Sequence, residues 1–336
     1  MIKQIKQKKW CTFLIMIVLI IIISSIFIIA QKTNQNKNLE YIELKENVTD
    51  YYFVKQYGTI VIRLENDEIW EISKDSESKF ISSDIRYIAE GSSNGSELLI
   101  ICNNGDIYYD ADRNYQGVKI GNIAGAISGS ISSIGLEKYI MIVTEDGDLY
   151  AYAMDQNGTL ENYDKEFVDQ LTKVDGIPKV KKVVALNENT LILTNNGEIY
   201  HSGDYNSITV RTEFQECYSE INYIDIAYGQ TSAYALDDEG IVYTNDTKER
   251  NGNNYMDFTE NKAYENIVSM CVNQDFAAFL NEEQKIYYNG TYYPGKAVEN
   301  FEGRPFAFHG TEEIILHGHY IYMIKEGKAY IKDLSR

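Results

Sequence analysis

Short apolar runs followed by a polar turn and a second apolar, aromatic segment recur along the chain after residue 40. In one copy, Leu191–Thr194 leads into Asn195–Gly197 and then into Glu198–Tyr200. Asn or Asp before a Gly in the left-handed conformation is typical of the turn in a β-hairpin. The runs are apolar at consecutive positions, which predicts strands that are covered on both faces.

The second segment of this hairpin is present seven times. The copies are Asp67–Trp70, Gly105–Tyr108, Gly147–Tyr150, Gly197–Tyr200, Gly240–Tyr243, Gln284–Tyr287 and Gly327–Tyr330. The aromatic residues are separated by 38, 42, 50, 43, 44 and 43 positions, and repeats of ~40–50 residues that carry strands are typical of propeller blades. A β-sandwich is the alternative, but sandwiches do not repeat a phrase at this period. We expect an all-β, seven-bladed β-propeller over residues 41–336.

The first thirty residues carry a membrane signal. Four lysines lie within residues 1–10, and residues 11–30 contain no charge. Twenty residues of helix are long enough to cross a hydrocarbon core of ~30 Å. A cleaved secretory signal is the alternative, but its apolar core is usually only ~7–15 residues long. We therefore favour an uncleaved transmembrane helix.

The distribution of lysines predicts which side of the membrane each part occupies. Because the cytoplasmic flank of a helix is usually the more basic one, residues 1–10 are expected to form a cytoplasmic tail. Residues 31–40 are polar and form a linker, and residues 41–336 form an extracytoplasmic domain. The abundance of Ile, Lys, Asn and Tyr suggests a bacterial source.

The net negative charge of the chain after residue 37 limits the kinds of partner that it can bind. Residues 1–37 contain six lysines and no acid, so the rest of the chain, with 25 basic and 50 acidic side chains, has a net charge of −25. Such a surface repels nucleic acid and anionic lipid, and we expect no nucleic-acid partner. The acidic surface serves solubility, or alternatively it receives a basic partner.

One repeat carries a family resemblance. Ala227–Tyr243 resembles a repeat of the regulator-of-chromosome-condensation family, which runs from Gly through His or Ser and an aliphatic strand to a Gly turn and Val-Tyr. Gly229, Ser232 and Gly240 match that pattern. In the preceding repeat, Gly203–Asn206 comes after Tyr200 and is similar to the segment that follows Val-Tyr in the family. The family's tryptophan is absent from every copy; Ser202 stands in its place in the fourth repeat.

The resemblance implies a seven-bladed ring whose last blade is completed by an N-terminal strand. Tyr41–Leu44 and Tyr51–Val54 are the two candidates for that strand. The family's founder acts as a nucleotide-exchange factor on a GTPase at chromatin, but no residues here match that role. The resemblance therefore implies a scaffold that binds with one face of the ring, and it does not indicate the partner.

Two sets of residues are candidates for partner binding. The longest insertion between repeats is residues 155–179, in which Tyr163, Phe167 and Leu171 recur every four residues and predict a short amphipathic helix. This helix either binds a partner or only caps the ring. Tyr292 and Tyr293 are expected on a loop, where they contact a protein or a sugar ring, although most tyrosines fill space between blades. The polar stretch 246–262 is a second, flexible loop in this interpretation.

Other candidate sites have weaker support. His317 and His319 share a strand face, yet no third ligand is spaced to complete a metal site with them. Residues 110–114 begin like a calcium loop but lack its Gly and its Glu, so a turn between blades is the preferred interpretation. Cys102 and Cys271 are expected to be buried free thiols, whereas Cys217 lies in a polar stretch.

No nucleophile elbow, phosphate loop, Cys-x-x-Cys pair or zinc-protease motif is present in the sequence. We therefore expect no enzyme activity, no cofactor and no metal. The leading hypothesis is a single-pass, membrane-anchored extracytoplasmic scaffold that binds a protein or a component of the cell envelope. The alternatives are a cell-wall or carbohydrate-active hydrolase with carboxylates in the propeller mouth, and a structural envelope spacer.

Overall fold

A computed structural model of the chain consists of β-strands joined by turns and loops. The described residues are 42–56, 59–73, 78–91, 97–134, 137–155, 169–186, 189–202, 214–217, 220–229, 232–250, 253–262, 264, 266–272, 276–292, 299–300, 306–307, 313–317 and 320–333. Within these ranges there is no helix of the length and apolarity that a membrane crossing requires. The expected tail, transmembrane helix and linker lie outside them.

The strands form seven antiparallel sheets, which are the blades of a propeller. Blade 1 consists of β2 (Val48–Gln56), β3 (Thr59–Leu64), β4 (Ile69–Ser73) and β5 (Lys79–Ser82). Blade 2 consists of β6 (Ile85–Glu90), β7 (Leu98–Cys102), β8 (Asp106–Asp110) and β9 (Val118–Asn122). Blade 3 consists of β10 (Ala126–Ile134), β11 (Glu137–Thr144), β12 (Leu149–Asp155) and β13 (Thr172–Lys173). The strand order in each sheet follows the order in the chain, with the first strand innermost and in contact with the first strands of neighbouring blades.

Blades 4 to 7 continue the same plan. They consist of β14 (Val180–Leu186), β15 (Asn189–Thr194), β16 (Ile199–Ser202) and β17 (Gln215–Cys217); β18 (Tyr223–Tyr228), β19 (Ala233–Asp237), β20 (Val242–Arg250) and β21 (Asn253–Glu260); β22 (Ile267–Val272), β23 (Phe276–Asn281), β24 (Lys285–Tyr292), β25 (Glu299–Asn300) and β26 (Phe306–Ala307); and β27 (Glu313–His317), β28 (Tyr320–Lys325) and β29 (Lys328–Asp333). The prediction of an all-β, seven-bladed propeller is confirmed.

The N-terminal strand closes the ring. β1 (Ile42–Glu46) pairs antiparallel with β29 and forms the outermost strand of blade 7. The candidate Tyr41–Leu44 therefore overlaps the closing strand, whereas Tyr51–Val54 belongs to the innermost strand of blade 1. Blade 7 thus contains the first and the last strand of the described chain.

A separate apolar cluster fills each of the seven interfaces between blades. The second strand of a blade contributes to two of them, because its side chains point alternately to the two neighbours. In blade 2, Leu99 and Ile101 belong to the cluster shared with blade 3, whereas Leu98 and Ile100 belong to the cluster shared with blade 1. This two-sided burial explains why the sequence is apolar at consecutive positions.

The repeated aromatic residue packs at these interfaces. Trp70, Tyr108, Tyr150, Tyr200, Tyr243, Tyr287 and Tyr330 each contact the cluster that their blade shares with the preceding blade. Tyr243 is buried and the other six are half-buried. The expectation that these side chains pack between blades is confirmed, although most of them keep an edge exposed to solvent.

The repeated turns carry the backbone conformation that the sequence predicted. Gly105, Gly147, Gly197 and Gly240 have φ between 76° and 83°. The copies that lack glycine keep the same geometry, because Asp67 has φ 62° and Gln284 has φ 61° at the corresponding positions. Asp and Gln accept this conformation at a cost that glycine does not have.

Each turn glycine also binds the next blade. The carbonyl of Gly105 accepts a hydrogen bond at 2.9 Å from Ile123 N in the link between blades 2 and 3, and those of Gly147, Gly197 and Gly240 accept bonds from the first residue of the following blade. The carbonyl of Gly327 in blade 7 accepts one from Val48 N of blade 1 at 2.8 Å. The ring is therefore closed by a turn-carbonyl bond of the kind that also links blade 2 through to blade 6.

The structure corrects the expected burial of Cys102 and Cys271. None of the three cysteines in the described part of the chain forms a disulfide, but Cys102 and Cys271 are half-buried, whereas Cys217 is buried. The polar residues around Cys217 concealed its burial, since it forms part of the cluster between blades 4 and 5. Burial raises the pKa of the Cys217 thiol to about 12, so it stays protonated at neutral pH.

The turn glycines provide a test of the bond between blades. A Cβ atom on Gly105 would lie 2.5 Å from the carbonyl oxygen of Ile123, whereas a Cβ on Gly176, which has φ 81°, meets nothing within 4 Å. Gly176→Ala should reduce the free energy of unfolding by about 1–2 kcal/mol through backbone strain alone. Gly105→Ala should reduce it by about 3 kcal/mol or more, because the clash adds to the strain. Urea titration measures both, and equal losses would contradict the prediction.

Candidate functional site

The ring has two faces of different construction. The turns between the second and third strands of the blades and the links to each following blade lie on one face, which we call the turn face. The connections between first and second strands and between third and fourth strands lie on the opposite face, which we call the loop face, because successive strands are antiparallel. The connection 111–117 belongs to the loop face, as do the strand ends that flank residues 156–171 and 203–214.

The turn face is regular. In blades 1 to 6 the ladder between the first and second strands shifts register directly after the first paired residue, which is the mark of a β-bulge. The bulged residues are Thr49, Arg86, Ile127, Lys181, Ile224 and Val268. Ile224 and Val268 lie on neighbouring inner strands and are 37% and 50% exposed. Lys181 Nζ donates to the carbonyl of Ile224 at 2.9 Å.

The loop face of blades 1 to 3 contains a network of charged and phenolic side chains. Glu90, at the end of β6, forms an ion pair with Arg113, and both side chains are largely buried. Glu97 forms an ion pair with Lys138 of blade 3 at 2.7 Å, with side-chain exposures of 14% and 8%. Tyr109 hydrogen-bonds to Glu97, and burial followed by this carboxylate raises the pKa of the phenol. The network therefore joins blades 2 and 3.

The tight loop after Asp110 positions Tyr115, which extends this network to blade 1. Asp110 Oδ1 accepts from Asp112 N at 2.9 Å and Asp110 Oδ2 accepts from Tyr115 N at 2.6 Å. Tyr115 Oη then donates to Glu71 Oε2 of blade 1 at 3.0 Å. Burial, followed by the charge of Glu71, raises the pKa of Tyr115, so the phenol remains a neutral donor. The loop joins β8 to β9 within blade 2, so the expectation of a turn between blades is wrong.

Among the described residues, the hairpin of β20 and β21 is a prominent element of the loop face. β20 pairs with β19 only through Thr244, but it pairs with β21 as far as Arg250 opposite Asn253. The hairpin therefore continues past the end of the blade. At its base, Met256 and Phe258 are buried in the cluster between blades 4 and 5. The expectation of a flexible loop over 246–262 is wrong, because most of this stretch is paired strand.

The structure describes two of the five residues that were predicted to bind a partner. Tyr163, Phe167 and Tyr293 lie outside the described residues. Leu171 is half-buried and packs against the cluster between blades 2 and 3, where it limits the space at Gly121. Tyr292 is the last residue of β24, opposite Glu299, and is therefore on a strand instead of the expected loop. A role of these residues in partner binding remains a prediction.

The insertion that contains Leu171 is shorter than expected. Thr172–Lys173 forms the outermost strand of blade 3, β13, so only residues 156–171 connect two strands. Both ends of this connection lie at the loop face. The expected amphipathic helix falls mainly on residues outside the described ranges, and Leu171 is the one member of its apolar stripe that the structure places.

The described carboxylates of the loop-face network are engaged within the fold. The four carboxylates of the network accept hydrogen bonds or form ion pairs inside the fold: Glu71, Glu90, Glu97 and Asp110. Among the described residues no group of three or more His, Cys, Asp or Glu side chains could hold a metal ion. His317 ends β27 opposite Tyr320, and His319 lies outside the described ranges.

Sequence reasoning missed the charged network and the projecting hairpin. Glu90, Glu97, Arg113 and Lys138 are separated along the chain and were not distinguishable from ordinary surface charges. The hairpin had a usable signal, since Thr244 is followed by a polar stretch with Asn-Gly at 251–252, which is a common hairpin turn. Three further aromatic or apolar residues, Tyr255, Met256 and Phe258, then indicate the return strand.

Comparison with known proteins supports the fold. No protein-family model matches the chain, and a search of curated proteins finds no match. Among solved structures, yeast RCC1 (Prp20) with Kap60 bound is similar, with 10% identity, a TM-score of 0.57, and coverage of 84% of this chain and 79% of that chain. YCF48 bound to D1 peptide matches with 10% identity, a TM-score of 0.53, and coverage of 88% and 95%.

PorZ, a surface component of the type-IX secretion system of Porphyromonas gingivalis, is also similar. It matches with 14% identity, a TM-score of 0.52, and coverage of 86% of this chain and 37% of that chain. Identities this low establish a shared fold only. The chain therefore has an RCC1-like β-propeller fold, as the repeat at Ala227–Tyr243 indicated.

The buried ion pair between blades 2 and 3 gives a second test. Lys138→Met should lower the free energy of unfolding by about 3–5 kcal/mol, because Glu97 then keeps a buried charge without its cation. Adding Glu97→Gln should recover much of that loss. Lys285→Met, which breaks the exposed pair with Glu283, should leave stability unchanged. Urea titration of the four proteins checks this, and equal losses for Lys138→Met and Lys285→Met would contradict it.

Proposed function

We propose that the protein is a non-enzymatic scaffold that is anchored in the cell membrane by residues 11–30 and binds a protein or envelope component with its loop face. Residues 1–10 form the cytoplasmic tail, residues 31–40 form the linker, and residues 41–336 form the extracytoplasmic propeller. The uncharged run of residues 11–30 and the lysines before it support the anchor. The acidic surface of the propeller is consistent with an exported, soluble domain.

We propose the loop face as the binding surface because the two faces of the ring are built differently. On the turn face, Gly105, Gly147, Gly197, Gly240 and Gly327 use their carbonyls to hold the next blade, so these turns cannot change without loosening the ring. The loop-face contacts between blades that the described residues show, such as Tyr115–Glu71 and Glu97–Lys138, are particular to single pairs of blades, and the loop-face connections differ in length and sequence from blade to blade. Variable loops on a rigid scaffold are where binding residues usually lie.

The loop face also has the rigidity that a binding surface needs. Asp110 fixes the loop before Tyr115, and the pairs Glu90–Arg113 and Glu97–Lys138 fix the two segments beside it. These contacts hold the backbone before a partner arrives, which reduces the entropy lost on association. Solved propellers with this fold include complexes of yeast RCC1 with Kap60 and of YCF48 with a D1 peptide, which supports a binding role.

The hairpin of β20 and β21 allows a direct test. Thr247 faces Met256 in the ladder, so residues 248–255 can be replaced by Asn-Gly, which closes a two-residue hairpin and keeps Met256 in the core. A labelling enzyme fused to the propeller tags the proteins that lie close to it. We expect most of this labelling of bound proteins to be lost in the trimmed variant. The control is Ile224→Ser with Val268→Ser, which alters exposed residues of the turn face.

The unfolding midpoint of both variants should equal that of the unaltered protein, which excludes misfolding as the cause. Retention of the label in the trimmed variant, with its loss in the turn-face control, would show that the turn face is the binding surface.

A further inference from the structure

The direction of β1 determines where the chain enters the propeller. Glu46 pairs with Lys328, directly after the turn at Gly327, and its carboxylate binds Lys328 Nζ at 2.8 Å, so this end of β1 is at the turn face. Ile42, four residues before Glu46 in β1, pairs with Ile331 and lies toward the opposite face. The chain that precedes Ile42 therefore arrives at the loop face, at the outer rim of blade 7.

The segment before Ile42 is short. Residues 31–41 separate the end of the uncharged run from the first strand. Eleven residues of flexible chain span about 20 Å on average. Fully extended, they span at most about 40 Å. A folded domain of 100 residues has a radius of gyration of about 13 Å, so its diameter exceeds that average separation.

We propose that the loop face is turned toward the membrane and the turn face away from it, and that the loop face binds the short external segments of a protein embedded in the same membrane. This proposal rests on the proposed function, because it uses both the anchor at residues 11–30 and the loop face as the binding surface. The space between the loop face and the bilayer is too small for a separate folded domain, so the partner's contact segments are membrane-proximal.

The hairpin of β20 and β21 has the length that this space requires. β20 continues from Asp246 to Arg250, beyond the start of β19 at Ala233, and five residues of strand span about 16 Å. The hairpin thus extends from the loop face across most of the average separation of about 20 Å that the linker gives.

The bilayer itself is the less favourable occupant. The part of the chain after residue 37 has a net charge of −25. Anionic lipids repel such a domain. In addition, of the large apolar side chains that are well exposed among the described residues, Ile224 and Val268 lie on the turn face, and Val118 is a single residue at the loop-face end of β9. A protein partner is therefore favoured over insertion into lipid.

Energy transfer to the membrane tests the orientation. A donor dye is attached through an unnatural amino acid at Gln116, exposed on the loop face, or at Thr49, exposed on the turn face. The full chain is reconstituted in phosphatidylcholine vesicles that contain a lipid-linked acceptor. We expect transfer from Gln116 to be several-fold greater than from Thr49. Equal transfer, greater transfer from Thr49, or no transfer from either position would overturn the proposed orientation.

A linker variant serves as the control. Thirty Gly and Ser residues inserted between Lys37 and Asn38 lengthen the linker to an average span of about 35 Å, which frees the propeller to turn. The difference between the two dye positions should then largely disappear. If the full difference persists, the linker does not set the orientation and the proposal is wrong.

Photo-crosslinking separates this proposal from the proposed function. A photoreactive residue is placed at Gln116 or Thr49 in the full chain in its native membrane, and the crosslinked proteins are identified by mass spectrometry. We expect crosslinks from Gln116 to a protein with membrane spans of its own. Crosslinks from Gln116 to a protein without such spans would overturn this inference but keep the loop face as the binding surface. Crosslinks from Thr49 alone would overturn both.

Discussion

The burial of both faces of every sheet is the condition on which this structure depends. A sheet that is apolar on both sides is stable only between two others, so seven such sheets must close on themselves or leave two apolar surfaces in water. The cluster between blades 7 and 1, which includes Val48, Ile60, Tyr322 and Ile331, completes the seventh interface. The pairing of β1 with β29 makes this closure part of the blade architecture itself.

The repeat unit was predictable because each copy meets the same physical demands. Gly105 and its equivalents satisfy a left-handed backbone and a close approach to the next blade at one position, and few residue types satisfy both. The demand is visible even at Asp67 and Gln284, which keep the conformation without glycine. By contrast, the pairing of Lys138 with Glu97 depends on the three-dimensional placement of two blades, which no local pattern records.

The two faces differ in how far their contacts repeat around the ring. At the turn face, the turns of blades 2 to 5 and of blade 7 each hold the chain that follows, so their sequence is constrained by the geometry of the ring. At the loop face Asp110, Tyr115 and Glu71 form contacts that are particular to blades 1 and 2. A propeller built in this way can vary the contacts of one face while its core pattern stays constant, which accords with a fold shared with proteins at 10% identity.

The position of β1 also has a mechanical consequence. A pull on the chain before Ile42 acts along the strand and away from the turn face, so the hydrogen bonds to β29 carry the force together, in shear, and are not broken one after another from an end. Leu44, which packs against the cluster between blades 7 and 1, shares this load. The strand that closes the ring is thus also the element through which tension on its N-terminal side enters the domain.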